Sequence, residues 1–253
     1  MGNNLYSLLI AIIFFFCGLS PVYANEWALA GSTPGRHRGP VTAIVSSGNT
    51  IISAGEDGFL EFWNISGGIA TERFQVSPYS ITAMAMKPGF DELCIVESDG
   101  LGLYRVSAWD YRTRRNIFTL RFRDTISYIT YSSGGNFIIA ARTGRTGLVF
   151  IDSVSGDILQ SPQLLTGTIG LAVTGRSERN MVVYLASGAI SYWDLDTGSE
   201  TNRFNVPPNL YSPVLFGNSR YLAGVNAQGL AVINAVSGEV LARETNVPDG
   251  SIL

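Results

Sequence analysis

One stretch decides the fold: Ser191-Tyr-Trp-Asp-Leu-Asp-Thr-Gly198, whose pattern recurs along the chain at nearly constant spacing. Each copy places an apolar or aromatic residue before Asp or Asn. The central apolar residues are 46, 42, 42 and 40 positions apart. The five copies are Phe62-Trp63-Asn64, Ala108-Trp109-Asp110, Phe150-Ile151-Asp152, Tyr192-Trp193-Asp194 and Val232-Ile233-Asn234.

The residues after each Asp or Asn predict a tight turn. In the copy quoted above, the Asp194 carboxylate can accept hydrogen bonds from the next backbone N–H groups, and Gly198 supplies the positive φ that reverses the chain. Three other copies have the same pairing of Asp or Asn with Gly four positions later, whereas the second copy has Arg114 at that position. The three pairs are Asn64 with Gly68, Asp152 with Gly156, and Asn234 with Gly238.

A second recurring feature, the first residue of an apolar segment, opens each repeat. We call it the second marker, and the apolar residue before Asp or Asn the first; both recur at similar spacing. Between the two markers lies another apolar run closed by a glycine turn, as in Met181-Val-Val-Tyr184 before Ser187-Gly188, and no stretch has helical period. Each unit of about 42 residues therefore holds three to four short strands. An all-β fold is predicted: a β-propeller of four-stranded antiparallel blades. The leading residues of the second marker are Val41, Ile81, Ile126, Ile169 and Tyr211.

The domain organisation follows from these markers. After residues 25–36, with a possible closing strand at Glu26-Trp-Ala-Leu-Ala30, a propeller is predicted over 37–253. Ile252 lies 41 positions after Tyr211, so residues 246–253 are interpreted as the start of a sixth repeat and the propeller as incomplete. The total blade number stays open, because five-bladed propellers exist. The approximate repeats are 37–75, 76–122, 123–162, 163–205 and 206–245.

Residues 1–24 have the features of an export signal. The ten residues from Leu8 to Cys17 are apolar, too short a run to span a bilayer comfortably, and Pro21-Val-Tyr-Ala24 suits cleavage after Ala24. The first seven residues contain no Lys or Arg, which leaves an uncleaved anchor over residues 5–20 as the alternative. The protein is therefore expected in the periplasm or cell envelope of a bacterium, and any membrane contact is expected only through this segment, if it stays uncleaved.

The repeat endings resemble those of WD repeats. Ser191–Gly198 and Glu61-Phe-Trp-Asn-Ile-Ser-Gly-Gly68 carry the resemblance, and residues 37–63 resemble one nearly complete repeat. The resemblance covers residues 26–253 and implies a structural hydrogen-bond network in the first repeat, whereas the other repeats lack the histidine. The four residues implied in this network are His37, Ser53, Asp57 and Trp63.

The composition argues against several kinds of chemistry. A net charge of −3 is unlike that of a nucleic-acid-binding domain, which usually carries a basic stripe. After cleavage only His37 and Cys94 remain of their types, too few for a zinc cluster, and Cys94 lies in an apolar run that predicts burial. Acidic pairs such as Glu56 and Asp57 are read as solvated turn residues. No catalytic, metal-binding or cofactor-binding residue is therefore predicted.

One basic cluster stands out, formed by Arg112, Arg114 and Arg115 where the second repeat departs from the turn pattern. It is interpreted as a solvated loop, with contact to an acidic partner surface or a lipid head group as the sharper alternative.

Two classes of function follow. The first is a non-catalytic protein-interaction scaffold of the periplasm or cell envelope, or the sensing part of a longer protein, since WD-repeat relatives mostly act as scaffolds. The alternative is a propeller-type enzyme or small-ligand binder of quinoprotein, hydrolase or lectin type, whose site would lie in C-terminal sequence not included here. Because one fold hosts many functions, the fold alone does not decide between them.

Overall fold

The computed structural model describes residues 37–143, 147–159, 168–216 and 220–245. The predicted export signal, the predicted closing strand at 26–30 and the predicted start of a sixth repeat at 246–253 lie outside these ranges.

Twenty strands form five four-stranded antiparallel sheets, each built from four strands consecutive in the chain, and the described ranges contain no helix. The sheets form blades of a propeller, which confirms the predicted fold class. Blade 1 is β1–β4, blade 2 is β5–β8, blade 3 is β9–β12, blade 4 is β13–β16 and blade 5 is β17–β20. The strands are β1 Val41–Ser47, β2 Thr50–Gly55, β3 Phe59–Asn64, β4 Ile69–Gln75, β5 Ser80–Met86, β6 Glu92–Ser98, β7 Tyr104–Asp110, β8 Arg115–Phe122, β9 Ile126–Tyr131, β10 Phe137–Arg142, β11 Leu148–Asp152, β12 Ile158–Leu159, β13 Ile169–Thr174, β14 Asn180–Leu185, β15 Ala189–Asp194, β16 Ser199–Asn205, β17 Tyr211–Phe216, β18 Tyr221–Asn226, β19 Gly229–Asn234 and β20 Val240–Glu244.

The recurrent Asp or Asn ends the third strand of each blade and caps the turn that follows. Asp194 Oδ1 accepts hydrogen bonds from the Thr197 N–H at 2.9 Å and from the Thr197 hydroxyl at 3.1 Å. Gly198 then adopts φ +66°, the left-handed conformation that side chains with a Cβ disfavour. Arg114 takes the same conformation, with φ +57°, without being glycine. The second repeat therefore keeps the turn geometry although it lacks the usual residue.

The core consists of four hydrophobic clusters, one at each junction between consecutive blades. Strand β6 shows the principle: Leu93 and Ile95 pack towards blade 1, while the alternate residues Cys94 and Val96 pack towards blade 3. All four side chains are fully buried. Successive side chains of a strand point to opposite faces of its sheet, so apolar runs without alternation fit sheets covered on both sides.

One sheet face of blade 1 differs from the faces at the four junctions between consecutive blades. Within the described ranges, no hydrophobic cluster joins blade 5 to blade 1. Val41 and Ile44 on β1 are 49% and 65% exposed, whereas the corresponding Ile81 and Met84 of blade 2 are buried. Blade 5 has four strands from its own repeat, with β20 as the outer strand.

Replacing Gly198 by alanine isolates the backbone requirement of the turn, because an added Cβ would contact nothing within 4 Å. We expect Gly198→Ala to lower the free energy of unfolding by about 1 kcal/mol, the cost of a left-handed residue with a Cβ. The melting temperature should fall by roughly 2–4 °C. Gly175→Ala is the matched control, since Gly175 lacks a positive φ and its Cβ would make only an ordinary contact at 3.8 Å. Equal losses in both variants would contradict the strain argument.

Candidate functional site

The four residues implied in the network of the first repeat form a chain of hydrogen bonds. Trp63 Nε1 donates to Ser53 Oγ at 3.0 Å, and Ser53 Oγ lies 3.0 Å from His37 Nε2. His37 Nδ1 lies 3.0 Å from Asp57 Oδ1, so a proton on Nδ1 donates to the carboxylate. In the neutral ring, Nε2 then accepts from the Ser53 hydroxyl. The chain fastens the segment before β1 to strands β2 and β3.

Asp57 is the anion at the end of this chain. Burial alone would raise its pKa, but hydrogen bonds from the Arg38 N–H, His37, the Phe59 N–H and Arg73 outweigh that effect. They lower the pKa of Asp57 from 3.8 to about 2. Its side chain is only 8% exposed, so ionised Asp57 belongs to the structural framework of blade 1.

Glu61 adds a second buried carboxylate beside Asp57. It is fully buried, and Arg73 bridges the two acids, with Nη2 at 3.0 Å from Asp57 Oδ2 and Nε at 3.4 Å from Glu61 Oε1. The Arg73 guanidinium also lies over the Phe59 ring, 3.5 Å from its centroid. Sequence reasoning missed Glu61 and Arg73. The available signal was a charged residue two positions before the marker Trp63, where the equivalent positions are Ser, Val, Ser and Ala.

Asp57 should make unfolding pH-dependent in a defined window. Because its folded-state pKa is lowered, its stabilisation is present above about pH 4 and is lost as the pH falls towards 2. A shift of nearly two units corresponds to about 2 kcal/mol. We expect Asp57→Asn to be less stable than the unmodified chain at pH 7, with the difference shrinking between pH 4 and pH 2, as measured by urea unfolding. Exposed Glu239 is the control, since Glu239→Gln should leave the pH profile unchanged; an undiminished difference for Asp57→Asn at pH 2 would contradict the assignment.

A cavity of about 500 Å³ opens at the junction of blades 1 and 2. It lies on the side of the propeller where the first strand of each of these blades, β1 and β5, begins. We call this side the upper face. Two hydrogen bonds join the blades beside the cavity: Thr42 Oγ1 donates to the Ile81 carbonyl at 2.6 Å, and Ser80 Oγ donates to the Glu56 carbonyl at 3.2 Å. The cavity walls are therefore fixed to each other. Its lining consists of Thr42, Glu56, Pro78, Tyr79, Ser80, Thr82, Ser98, Asp99 and Gly100.

The loop between β6 and β7 borders this cavity and presents Leu101, which is 92% exposed. Asp99 Oδ1 accepts hydrogen bonds from the Leu101 N–H at 2.7 Å and from the Leu103 N–H at 3.0 Å. The same two bonds hold the pKa of Asp99 below its ordinary value, so the carboxylate is ionised at neutral pH. The flanking Gly100 and Gly102 both have positive φ, +73° and +101°. The hydrogen-bonded loop therefore presents the Leu101 side chain to solvent beside the cavity.

Tyr79 lines the cavity and also contacts Arg105 of blade 2. Its ring lies against the Arg105 guanidinium, 4.2 Å from centroid to Cζ, and Arg105 Nε lies 3.1 Å from Glu97 Oε2. Ser107 donates to the same carboxylate oxygen at 2.9 Å. These contacts fix the position of Tyr79. Sequence reasoning did not single out Tyr79, Asp99 or Leu101; the signal for the last was a leucine between two glycines in a loop.

The basic cluster of the second repeat is engaged within the chain. Arg112 Nε lies 2.8 Å from Asp91 Oδ2, and Arg114 pairs with Glu72 of blade 1. Both arginine side chains are more than half exposed. Arg115 begins β8 and pairs in register with Asp110. The predicted partner contact at these three residues stays a prediction.

Cys94, for which the sequence predicted burial, lies on β6 of blade 2. Cys94 is fully buried, and burial raises the pKa of its thiol. Across the described ranges, no group of three or more His, Cys, Asp or Glu residues is placed to hold a metal ion. Within the same ranges, no helix has the length and apolar character needed to cross a membrane.

The five four-stranded antiparallel sheets place the chain among β-propeller domains. A family model described as an N-terminal beta-propeller domain matches residues 23–246, and the chain belongs to that family. A protein of Treponema pallidum (strain Nichols), described as an uncharacterized protein, is 30% identical over 221 residues. The match covers 87% of this chain but 36% of that protein, so the chain spans about a third of the length of this relative.

Proposed function

We propose that this chain is a non-catalytic β-propeller module that binds a protein partner through the upper face of blades 1 and 2. The observation that carries the proposal is Leu101, 92% exposed on a loop that Asp99 holds in place beside a cavity. An isolated exposed leucine is ordinary, but an apolar tip on an ordered loop costs little entropy to bind. When such a side chain enters a desolvated pocket of the partner, it can act as an interface hot spot.

The proposal includes a WD-type repeat. The chain of hydrogen bonds from Trp63 through Ser53 and His37 to Asp57 supports it, because these are the four residues that the resemblance implies. The other described blades lack the histidine, so the repeat type is proposed from blade 1 and the shared turn pattern.

The proposed location is the periplasm or cell envelope. The apolar run from Leu8 to Cys17 and the small residue Ala24 support export through an N-terminal signal. Since the chain covers 36% of its Treponema relative, the proposed role includes the binding part of a longer protein.

The test replaces Leu101 by the photo-crosslinking residue p-benzoylphenylalanine in the full chain, produced in its own cells. Illumination should give a discrete adduct, whose partner is then identified by mass spectrometry and purified. The control places p-benzoylphenylalanine at Val154, which is 74% exposed on a turn of blade 3. This control should give no such adduct.

With the purified partner, Leu101→Ala should weaken binding by about thirtyfold, the effect of losing an interface hot spot of roughly 2 kcal/mol. Val154→Ala should leave the affinity unchanged. Identical affinities for the two variants would refute docking at this face. Turnover of a small molecule by the purified chain, abolished by changes at the cavity, would favour the enzyme alternative.

A further inference from the structure

We propose that the cavity at the junction of blades 1 and 2 receives a lysine or arginine side chain of the protein partner. This inference rests on the proposed function and specifies the chemistry of the residue that enters the cavity.

The charges of the lining point to a cation. Two acidic residues, Glu56 and Asp99, line the cavity, and its lining includes no Lys, Arg or His. No ion pair engages either carboxylate among the described residues. Asp99 Oδ1 accepts hydrogen bonds from the Leu101 and Leu103 N–H groups of the loop. Two acidic residues without an ion-pair partner in one concavity attract a cation and repel an anion.

The neutral lining groups favour the same ligand. Five hydroxyl-bearing residues contribute to the wall, and three of the hydroxyls, on Thr42, Ser80 and Thr82, already donate their protons to backbone carbonyls. Their oxygens therefore present lone pairs as acceptors. Guanidinium and ammonium groups carry several donors and no acceptor, so they complement such a wall. A volume of about 500 Å³ accommodates the side chain with its aliphatic stem. The five are Thr42, Tyr79, Ser80, Thr82 and Ser98.

The position of Leu101 connects the cation to a protein segment rather than to a free amine. Leu101 directly follows Gly100, which lines the cavity, and is almost fully exposed. A ligand that fills the cavity with a basic side chain therefore brings its neighbouring residue onto Leu101. The site favours a partner with an apolar residue beside the basic one.

The experiment uses defined probes with the purified chain. Acetyl-leucyl-arginine amide is titrated while the amide resonances of Ser80, Thr82, Ser98 and Gly100 are followed by NMR. We expect saturable shifts at these residues, and at least tenfold weaker binding for the peptide with citrulline, the neutral isostere of arginine. Spermidine, a polyamine without an apolar neighbour, should also bind at least tenfold more weakly than the arginine peptide.

Variants assign the recognition to the two carboxylates. The double substitution Glu56→Gln with Asp99→Asn should weaken binding of the arginine peptide by at least tenfold. The asparagine amide oxygen can still accept from the Leu101 N–H, so the loop is retained, and the melting temperature verifies this. Asp196→Asn, at an exposed carboxylate on a blade 4 turn, is the matched control and should bind as the unmodified chain does.

Equal binding of the citrulline peptide, or unchanged affinity of the double variant, would overturn the proposal. Spermidine binding as tight as that of the arginine peptide, with no effect of Leu101→Ala, would assign the cavity to free polyamines and overturn the protein partner. A failure of the basic side-chain assignment can be distinguished from a failure of the proposed function. If only the assignment is wrong, Leu101-dependent binding of the crosslinked partner will persist in the double variant.

Discussion

A four-stranded blade carries apolar side chains on both of its faces, so each blade needs a neighbour on both sides. In blade 2, Leu93 and Ile95 are covered by blade 1, and Cys94 and Val96 are covered by blade 3. Burial of apolar area supplies the largest favourable contribution to folding, and it is available here only between blades. The repeat spacing, the turns and the positions of the loops all depend on this packing of sheet on sheet.

Blade 1 shows how the same architecture holds when its first face lacks a covering blade within the described ranges. Two buried positions of blade 1 are more polar than their equivalents in blade 2: Ser53 stands where blade 2 has the apolar Ile95, and the charged Glu61 stands where it has the neutral Ser107. The hydrogen-bonded chain pairs Ser53, and Arg73 forms an ion pair with Glu61, whose two oxygens accept no hydrogen bond among the described residues. Buried polar groups are costly unless they are paired, so the network can replace a covering sheet only as a set.

The upper face owes its shape to the loops that these blades hold. Cross-blade hydrogen bonds from Thr42 and Ser80 fix the two walls of the cavity, and Asp99 fixes the loop that presents Leu101. An arrangement of this kind gives a rigid surface with an acidic recess and an apolar rim. Propeller domains can vary such loops without disturbing the junctions, because the loops lie outside the clusters that stabilise the fold.

The sequence by itself determined the fold class, because the signals for it are local and repeated. The Asx residue and the glycine of each turn lie four positions apart, and the markers recur at a nearly constant period, so both can be read without knowing any contact. The WD resemblance likewise singled out His37, Ser53, Asp57 and Trp63 from one repeat. The tertiary structure alone decided the cavity. Glu56 and Asp99 are 43 positions apart and lie in turns that look like ordinary solvated loops. They line one recess because the packing of blade 1 on blade 2 brings equivalent loops side by side, and no local pattern encodes that distance.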